Sequence, residues 1–301
     1  MSHVIVLAGG TSDEREVSLR SGQAVAEALR IKYQVTVLNP ADGLPTDQLQ
    51  VADVIFPLLH GAGGEDGSLQ KQLDELGVAY VGSGYQASAI CFDKWQYKQL
   101  LAQQGLPTPN GQLVDEAHFE NSPLSLQPFV LKPFDGGSSV DTYICRDVTA
   151  LNKNQISGLF SRHPKMLLEA LIDGTEITVA VFGDRALPVI EIIPPADGEF
   201  DYENKYNGQS QELCPPQNVA EVLQQQAQKL ALQSHHLTGC RDFSRTDIMI
   251  DRVGQLWLLE TNTIPGMTNQ SLFPKAAAVA GISMPKLVDQ LVQMALARKT
   301  T

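Results

Sequence analysis

Hydrophobic residues in the N-terminal part of the chain come in short apolar runs separated by longer amphipathic stretches. The apolar runs are bounded by turn residues, which predicts strands at 4–7, 34–38, 54–59 and 79–81. The amphipathic stretches repeat apolar residues at helical spacing, which predicts helices at 13–30 and 68–76. Alternation of strand and helix indicates a parallel sheet, whose ligands lie at the carboxyl ends of its strands.

The pattern changes after a predicted helix at 94–104. Apolar runs at 129–132 and 142–145 flank a glycine–serine loop, 136–139, which indicates two antiparallel strands. Two more strands of the same region are expected at 166–171 and 176–182.

A third region begins with a strand at 189–193 and continues through a polar loop at 196–212. The pattern in the rest of this region predicts a helix at 219–237, two strands with acidic ends, and a helix at 284–297. We therefore expect an α/β protein with three domains, 1–92, 93–180 and 181–301.

Carboxylates stand at the ends of the two acidic strands. Side chains alternate along a strand, so Glu260 and Asn262 point to the same side, and Asp247 heads the other strand. Hard oxygen ligands of this kind suit Mg²⁺ or Mn²⁺ beside phosphates. Because Arg245 also precedes the aspartate by two residues, we interpret the three as a two-metal nucleotide site. Two ordinary hairpin strands with acidic ends are the alternative.

The glycine–serine loop and a nearby lysine predict a phosphate site. The loop offers several N–H and O–H donors, although a flexible hairpin tip explains it equally well. Lys132 closes an apolar strand, where its charge is costly unless paired, for example by a phosphate. Glu169 lies within another apolar run, where it is either an acceptor for adenine or ribose, or an acid on an exposed strand edge.

The N-terminal region carries weaker signals. His60 ends an apolar run before a glycine-rich turn, where either a substrate contact or a cap of the turn fits. Glu14 stands in the first turn of the first helix, where the helix dipole alone explains it. The Gly9–Gly10 turn lacks the spacing of either dinucleotide or P-loop motifs.

The composition of the chain narrows the range of possible functions. The chain has 301 residues, 43% hydrophobic and 19% charged, with a net charge of −12 and a pI near 4.9. An acidic surface argues against nucleic acid as a partner but leaves ATP open. The four cysteines are scattered and expected to be reduced. Without a leader-like segment or a membrane-length apolar run, we expect a cytoplasmic protein with no membrane contact.

Taken in order, these pieces resemble the D-alanine–D-alanine ligases of the ATP-grasp superfamily, over essentially the whole chain. The shared motifs, as they stand in this sequence, are 7–18 (LAGGTSDEREVS), 60–67 (HGAGGEDG), 93–94 (DK), 137–140 (GSSV), 201–206 (DYENKY), 245–247 (RTD) and 260–268 (ETNTIPGMT).

The resemblance implies a three-domain ATP-grasp fold. An N-terminal Rossmann-like domain would be followed by two antiparallel α+β domains that hold ATP between them. It also implies a reaction in which a D-alanine carboxylate attacks the γ-phosphate and the amine of a second D-alanine attacks the acyl phosphate. The product, D-alanyl-D-alanine, is a peptidoglycan precursor. A homodimer is implied as well.

The resemblance also implies roles for individual residues. ATP would be held by Lys94, Lys132, Ser139, Glu169, Leu171, Glu176 and Lys205. The metal ligands would be Asp247, Glu260 and Asn262. Glu14, linked to Ser138 and Tyr206, would bind the ammonium of the first D-alanine, close to His60. Arg245 and the N–H of Gly266 would stabilise the tetrahedral intermediate. Ser271 and Leu272 would receive the second carboxylate. A tyrosine at position 206 goes in the family with an amine nucleophile.

The chain departs from the family pattern mainly in the glycine–serine loop. Gly136 replaces a glutamate, and Asp141 replaces a glycine and adds negative charge near the phosphates. Ala170 and Gln270 replace a frequent lysine and histidine. The altered loop keeps two alternatives open, a divergent ligase of the superfamily that joins other amino acids and a non-catalytic nucleotide-binding relative. A Rossmann-type oxidoreductase that uses the Gly9–Gly10 turn is a third alternative, but it leaves Asp247, Glu260 and Asn262 unexplained.

Overall fold

The computed structural model describes residues 1–137, 139–195 and 210–299. Its strands are β1 (His3–Leu7), β2 (Gln34–Leu38), β3 (Val54–Pro57), β4 (Gly111–Val114), β5 (Phe129–Lys132), β6 (Tyr143–Cys145), β7 (Met166–Ala170), β8 (Gly174–Phe182), β9 (Arg185–Ala186), β10 (Ile190–Ile193), β11 (Gln211–Leu213), β12 (Phe243–Asp251) and β13 (Leu256–Asn262).

Its α-helices are α1 (Arg15–Leu29), α2 (Thr46–Leu49), α3 (Ser68–Glu75), α4 (Tyr85–Phe92), α5 (Lys94–Gln103), α6 (Glu116–Glu120), α7 (Lys153–Arg162), α8 (Glu221–Leu237), α9 (Leu272–Val279) and α10 (Met284–Lys299). None of these helices is both long enough and apolar enough to cross a membrane.

The N-terminal strands form a parallel sheet in the order β2-β1-β3. The sheet is apolar on both faces because helices cover each of them, as parallel sheets require. Leu7 and Ile55 face a core with Leu69 and Leu73 of α3. Val6 faces a second core. The strand expected at 79–81 is reduced to a single bridge between Ile55 and Tyr80.

The second core joins the two ends of the chain. Val6 and Phe56 of the parallel sheet pack in it together with Phe273 of α9 and Leu287 and Leu291 of α10. Ala180 and Phe182 of β8 belong to the same core. The N-terminal sheet therefore buries one face against helices that come last in the sequence.

Two antiparallel sheets follow. The smaller has the order β4-β7-β5-β6 and encloses its own core with α6 and α7, as the alternating burial of β5 indicates. The larger has the order β11-β10-β8-β12-β13, with β9 paired to the end of β8. Its core includes Tyr97 and Leu101 of α5 and Ala227 and Ala231 of α8.

The assignment of residues 176–182 to the central region was wrong. This strand, β8, pairs along its whole length with β12 and also with β10, so it lies at the centre of the large sheet. Local sequence cannot distinguish the two sheets, because both need apolar antiparallel strands. The proposed domain limit at residue 180 would pass through β8, whereas a junction at 171–173 keeps each sheet whole.

Candidate active site

Two adjoining cavities lie along the cleft. The nucleotide cavity, as we call it, has a volume of about 1000 Å³ and lies between the two antiparallel sheets, lined by β5, β7, β8, β10 and β12. The substrate cavity has a volume of about 880 Å³ and lies against α1 and the loop before α9. Residues lining both cavities are Glu14, Phe92, Lys94, Gly136, Gly137 and Glu260.

Asp247 and Glu260 lie side by side on the neighbouring strands β12 and β13. Asp247 is in the middle of its strand rather than at its head, because β12 already begins at Phe243. It lines the nucleotide cavity, whereas Glu260 borders both cavities. Asp247 is paired with Glu260 in the strand register, immediately before a register shift. The Arg245 guanidinium donates to both oxygens of Asp247, at 2.9 and 2.8 Å, and the hydroxyl of Thr178 donates to the first of them at 2.6 Å. The two carboxylates are therefore brought side by side, and Asp247 is already held by a cation.

The side chains of Glu260 and Asn262 also have polar partners within the protein. A Glu260 oxygen lies 3.4 Å from the Lys94 ammonium, and the Asn262 amide oxygen accepts from the N–H of Ile264 at 2.8 Å. In the described ranges, no group of three or more His, Cys, Asp or Glu side chains is arranged to hold a metal. The set predicted here has two carboxylates and one amide, all hard oxygen donors, and so it fits Mg²⁺ in chemistry.

The wall of the nucleotide cavity contains a buried ion triad that sequence reasoning found only in part. Glu169, 3% exposed, lies 2.6 Å from the ammonium of Lys132 through one oxygen and 2.6 Å from that of Lys98 through the other. Lys98 was missed, because a lysine in an amphipathic helix is usually solvated. Glu169 is thus not an acid on an exposed edge, and each of its oxygens lies within ion-pair distance of a lysine.

Within this triad, burial and the neighbouring charges shift the pKa values in opposite directions. Burial acts to raise the pKa of Glu169, but the two lysines together hold it below its usual value. Burial also acts to lower the pKa of Lys132, but the carboxylates of Glu169, Glu260 and Glu176 together raise it. For Lys98, burial outweighs Glu169 and lowers the pKa. Glu169 and Lys132 are therefore the groups whose charge the site stabilises most.

Leu171 and Glu176 also line the nucleotide cavity. The N–H of Leu171 donates to the carbonyl of Pro128 at 3.0 Å, which fixes the chain where it leaves β7. Glu176 lies on β8 opposite Ile192. Both predicted ATP contacts therefore border the space between the two sheets.

The glycine–serine loop crosses between the cavities. The Lys94 ammonium donates to the Gly136 carbonyl at 2.5 Å. A β-carbon at Gly137 would come within 2.7 Å of a Glu14 oxygen, so a side chain at this position would displace the Glu14 carboxylate. Ser139 lines the nucleotide cavity. The two glycines of the loop, the Glu14 carboxylate and the Lys94 ammonium therefore lie next to one another. The predicted residues Ser138, Lys205 and Tyr206, and the loop 196–209, lie outside the described residues.

The substrate cavity has a second buried carboxylate that was not predicted. Glu65 accepts from the N–H of Gly61 at 2.7 Å. Burial, and next the Glu14 carboxylate, raise the pKa of Glu65 to about 8. His60 is 4% exposed, and burial lowers its pKa to about 4, so it is neutral at pH 7. Its Nε2 lies 3.5 Å from the Ser21 hydroxyl, which also accepts from the N–H of Met267 at 3.2 Å.

The predicted second-substrate residues lie at the start of α9. The Ser271 hydroxyl accepts from the N–H of Thr268 at 3.1 Å. A β-carbon at Gly266 would come within 2.8 Å of that hydroxyl. Gly266, Ser271, Leu272 and Arg245 all line the substrate cavity. The structure therefore brings together the predicted residues that it describes, around one cleft.

A parallel N-terminal sheet followed by two antiparallel sheets with a nucleotide-sized cavity between them is the architecture of the ATP-grasp ligases. The D-Ala D-Ala ligase C-terminus model matches residues 100–293, and the D-Ala D-Ala ligase N-terminus model matches residues 39–83. The chain belongs to the D-alanine–D-alanine ligase family.

Individual relatives agree with this assignment. The D-alanine–D-alanine ligase of Erythrobacter litoralis is 41% identical over 304 residues, which cover 98% of this chain and 93% of the relative. That of Sphingopyxis alaskensis is 42% identical over 305 residues, which cover 98% of both. The solved D-alanine–D-alanine ligase of Bacillus anthracis complexed with ATP superposes with a TM-score of 0.86 at 29% identity, over 100% of this chain and 99% of that one.

Proposed function

We propose that this protein joins two molecules of D-alanine into D-alanyl-D-alanine with ATP, through an acyl phosphate, and so supplies a precursor of peptidoglycan. The observation that carries the proposal is the wall shared by the two cavities. Glu14, Lys94 and Glu260 border both, so a nucleotide on one side and a carboxylate substrate on the other would meet there.

The first step needs an anionic carboxylate to approach an anionic phosphate. Lys94 and Lys132 border the nucleotide cavity and would neutralise phosphate charge, which is the main requirement of phosphoryl transfer. Glu14, in the wall of the substrate cavity, would hold the ammonium of the first D-alanine. Its proposed partners Ser138 and Tyr206, and the proposed ATP contact Lys205, lie outside the described residues.

Asp247, Glu260 and Asn262 would hold Mg²⁺ or Mn²⁺, which supplies charge neutralisation of the phosphates when bound. For Asp247 to serve, Arg245 would release at least one of its two hydrogen bonds to that carboxylate. The guanidinium would then be available to the substrate cavity, which it lines.

The second step needs stabilisation of a tetrahedral oxyanion. Arg245 and the N–H of Gly266 border the substrate cavity and would stabilise it. Ser271 and the N–H of Leu272 would receive the second carboxylate at the start of α9. His60, neutral at pH 7, would pack beside the first substrate without adding charge.

The family supports two further proposals, a homodimer and a cytoplasmic location. One alternative function stays open. Asp141, which replaces the glycine usual in the family, alters the phosphate loop, and a ligase that joins other amino acids is compatible with such a change.

Phosphate release tests the proposal. The protein would be incubated with ATP, Mg²⁺ and each member of a panel of amino acids, with dipeptide detected by mass spectrometry. We expect release that depends on D-alanine and on Mg²⁺, with D-alanyl-D-alanine formed. Strong release with other amino acids and none with D-alanine would favour the alternative and contradict the main proposal.

A further inference from the structure

We propose that Lys98 is a positioning residue that makes the buried group of Lys98, Glu169 and Lys132 net positive toward the nucleotide cavity, without touching the nucleotide. The inference rests on the proposed function. Lys98 lies on α5 and is 4% exposed. Its ammonium lies 2.6 Å from one oxygen of Glu169, and it donates to the Thr108 hydroxyl at 2.8 Å and to the Pro109 carbonyl at 2.5 Å. Lys98 is therefore held beside the Glu169 oxygen that Lys132 does not contact.

The charges of the triad explain why a second lysine is needed. Lys132 and Glu169 alone would form a neutral pair, with no net attraction for a phosphate. With Lys98 added, two ammonium groups share one carboxylate, which leaves one unit of positive charge in a buried place. Charge in a low-dielectric wall acts strongly on an anion in the adjoining cavity. Lys98 therefore adds to the attraction that this part of the wall exerts on the phosphates of ATP.

Lys98 also leaves Lys132 available to bind a phosphate of the nucleotide. The Lys132 side chain is 13% exposed and lines the nucleotide cavity, so it can present N–H groups to a phosphate. Sharing its charge with ATP weakens its hold on Glu169, and a buried carboxylate without a counterion is costly. Because Lys98 stays on the other oxygen of Glu169, that carboxylate remains paired while Lys132 binds the nucleotide.

A purely structural role is the competing explanation, because Lys98 also ties α5 to the segment before β4 through Thr108 and Pro109. The two explanations differ for adenosine, which has no phosphate. If Lys98 acts through charge, its loss weakens the binding of ATP and spares that of adenosine. If Lys98 acts as a structural tie, its loss weakens the binding of both.

The experiment compares the wild type with Lys98→Met and Lys98→Arg. Exposed Lys71→Met, which changes the net charge as Lys98→Met does, is the control. Affinities for ATP and for adenosine are measured by titration calorimetry, and the KM values for ATP and D-alanine by phosphate release. We expect Lys98→Met to weaken ATP binding about tenfold or more, with adenosine binding and the KM for D-alanine little changed. We expect Lys98→Arg to recover most of the loss.

Wild-type ATP affinity in Lys98→Met, or equal losses of ATP and adenosine affinity, would overturn the inference. If Lys98→Met does not fold, Lys98→Gln, which can still donate to Thr108 and Pro109 but has no charge, decides instead. A loss of ATP affinity with unchanged adenosine affinity supports the inference, and wild-type ATP affinity contradicts it. A wild type that binds ATP but forms no D-alanyl-D-alanine would contradict the proposed function instead, which the calorimetric result does not depend on.

Discussion

The Asp141 carboxylate accepts two hydrogen bonds from the Arg162 guanidinium, at 3.1 Å from Nε and 2.7 Å from Nη2. The His163 ring lies 2.7 Å from one of the same oxygens. Arg162, followed by His163, holds the pKa of Asp141 below its usual range. Asp141 also has a φ of 56°, a left-handed conformation that favours glycine. The charge that replaces the family's glycine is therefore directed to the Arg162 guanidinium of α7 and to the His163 ring that follows it.

This pairing predicts a contrast between two substitutions of Asp141. Asp141→Gly loses a partly exposed ion pair, worth about 0–1 kcal/mol, but relieves the left-handed backbone, so stability should change by less than about 1 kcal/mol. Asp141→Ala loses the same pair and keeps the strain, so it should be the less stable variant. Urea denaturation of both variants gives the comparison.

The same variants test the phosphate loop. If the ion pair holds the loop in its place against α7, both variants should raise the KM for ATP, and Asp141→Asn should raise it less, because asparagine tolerates the left-handed conformation and still accepts from Arg162. An ATP KM unchanged in all three would mean that the pairing has no part in nucleotide binding.

Removing Glu260 should abolish turnover while leaving the fold intact. Glu260 borders both cavities and is one of the proposed metal ligands. We expect Glu260→Ala to lower phosphate release by about 100-fold or more, equivalent to about 3 kcal/mol of lost transition-state stabilisation. Exposed Glu75→Ala is the matched control, and thermal unfolding checks the fold. Normal activity in Glu260→Ala would show that the metal assignment is wrong.

Glu65 and His60 predict how stability varies with pH. The folded pKa of Glu65 is raised from 4.5 to about 8, so between these values the folded protein holds a proton that the unfolded chain has lost. Its contribution to the free energy of unfolding therefore falls as pH rises. The folded pKa of His60 is lowered from 6.5 to about 4, and its contribution rises with pH in that window.

Below pH 6.5, Glu65 and His60 change the free energy of unfolding in opposite directions as pH rises. Above pH 6.5, of these two groups only Glu65 still changes it. Between pH 6.5 and 8 we expect the free energy of unfolding of the wild type to fall by about 2 kcal/mol on account of Glu65. Glu65→Gln should remove this fall, whereas exposed Glu75→Gln should keep it. Urea denaturation at the two pH values measures both. A wild type and a Glu65→Gln variant with equal slopes would contradict the assigned pKa.

Gly174 should tolerate no side chain. It begins β8 after the junction between the two antiparallel sheets, and a β-carbon there would lie 1.9 Å from the carbonyl oxygen of Ile250. Relief would need the β8–β12 pairing to open, so we expect Gly174→Ala to destabilise the protein by about 3 kcal/mol or more. Gly158→Ala, in the open middle of α7, should instead be neutral or slightly stabilising. Equal thermal midpoints of the two variants would contradict this.

Local sequence predicted the parts of the site that single strands and loops determine. Glu260 and Asn262 were expected on one side of a strand because of alternation alone, and both border the substrate cavity. The opposition of Asp247 and Glu260 follows from adjacent strands with a tight connection. The fold class was confirmed by the family and by the solved relatives.

The parts that were missed depend on distant segments. Lys98 meets Glu169 because α5, which packs in the core of the large sheet, comes within reach of β7 of the small sheet, and a lysine in an amphipathic helix gives no sign of burial. The raised pKa of Glu65 depends on burial and on Glu14, 51 positions earlier in the chain. Asp141 was expected to repel phosphate, since nothing local shows that Arg162 and His163 lie beside it. To predict any of these three contacts, one would need to know which surfaces of the protein pack together.

The core shared by the parallel sheet and α10 has a consequence for how the chain acquires its structure during synthesis. Val6 and Phe56 leave the ribosome early, but Leu287 and Leu291, which cover them, are made near the end. Until translation is almost complete, that face of the N-terminal sheet is therefore covered only in part, by Val25, Ala26 and Leu29 of α1. A fragment limited to residues 1–92 should accordingly self-associate or engage chaperones rather than fold as a monomer.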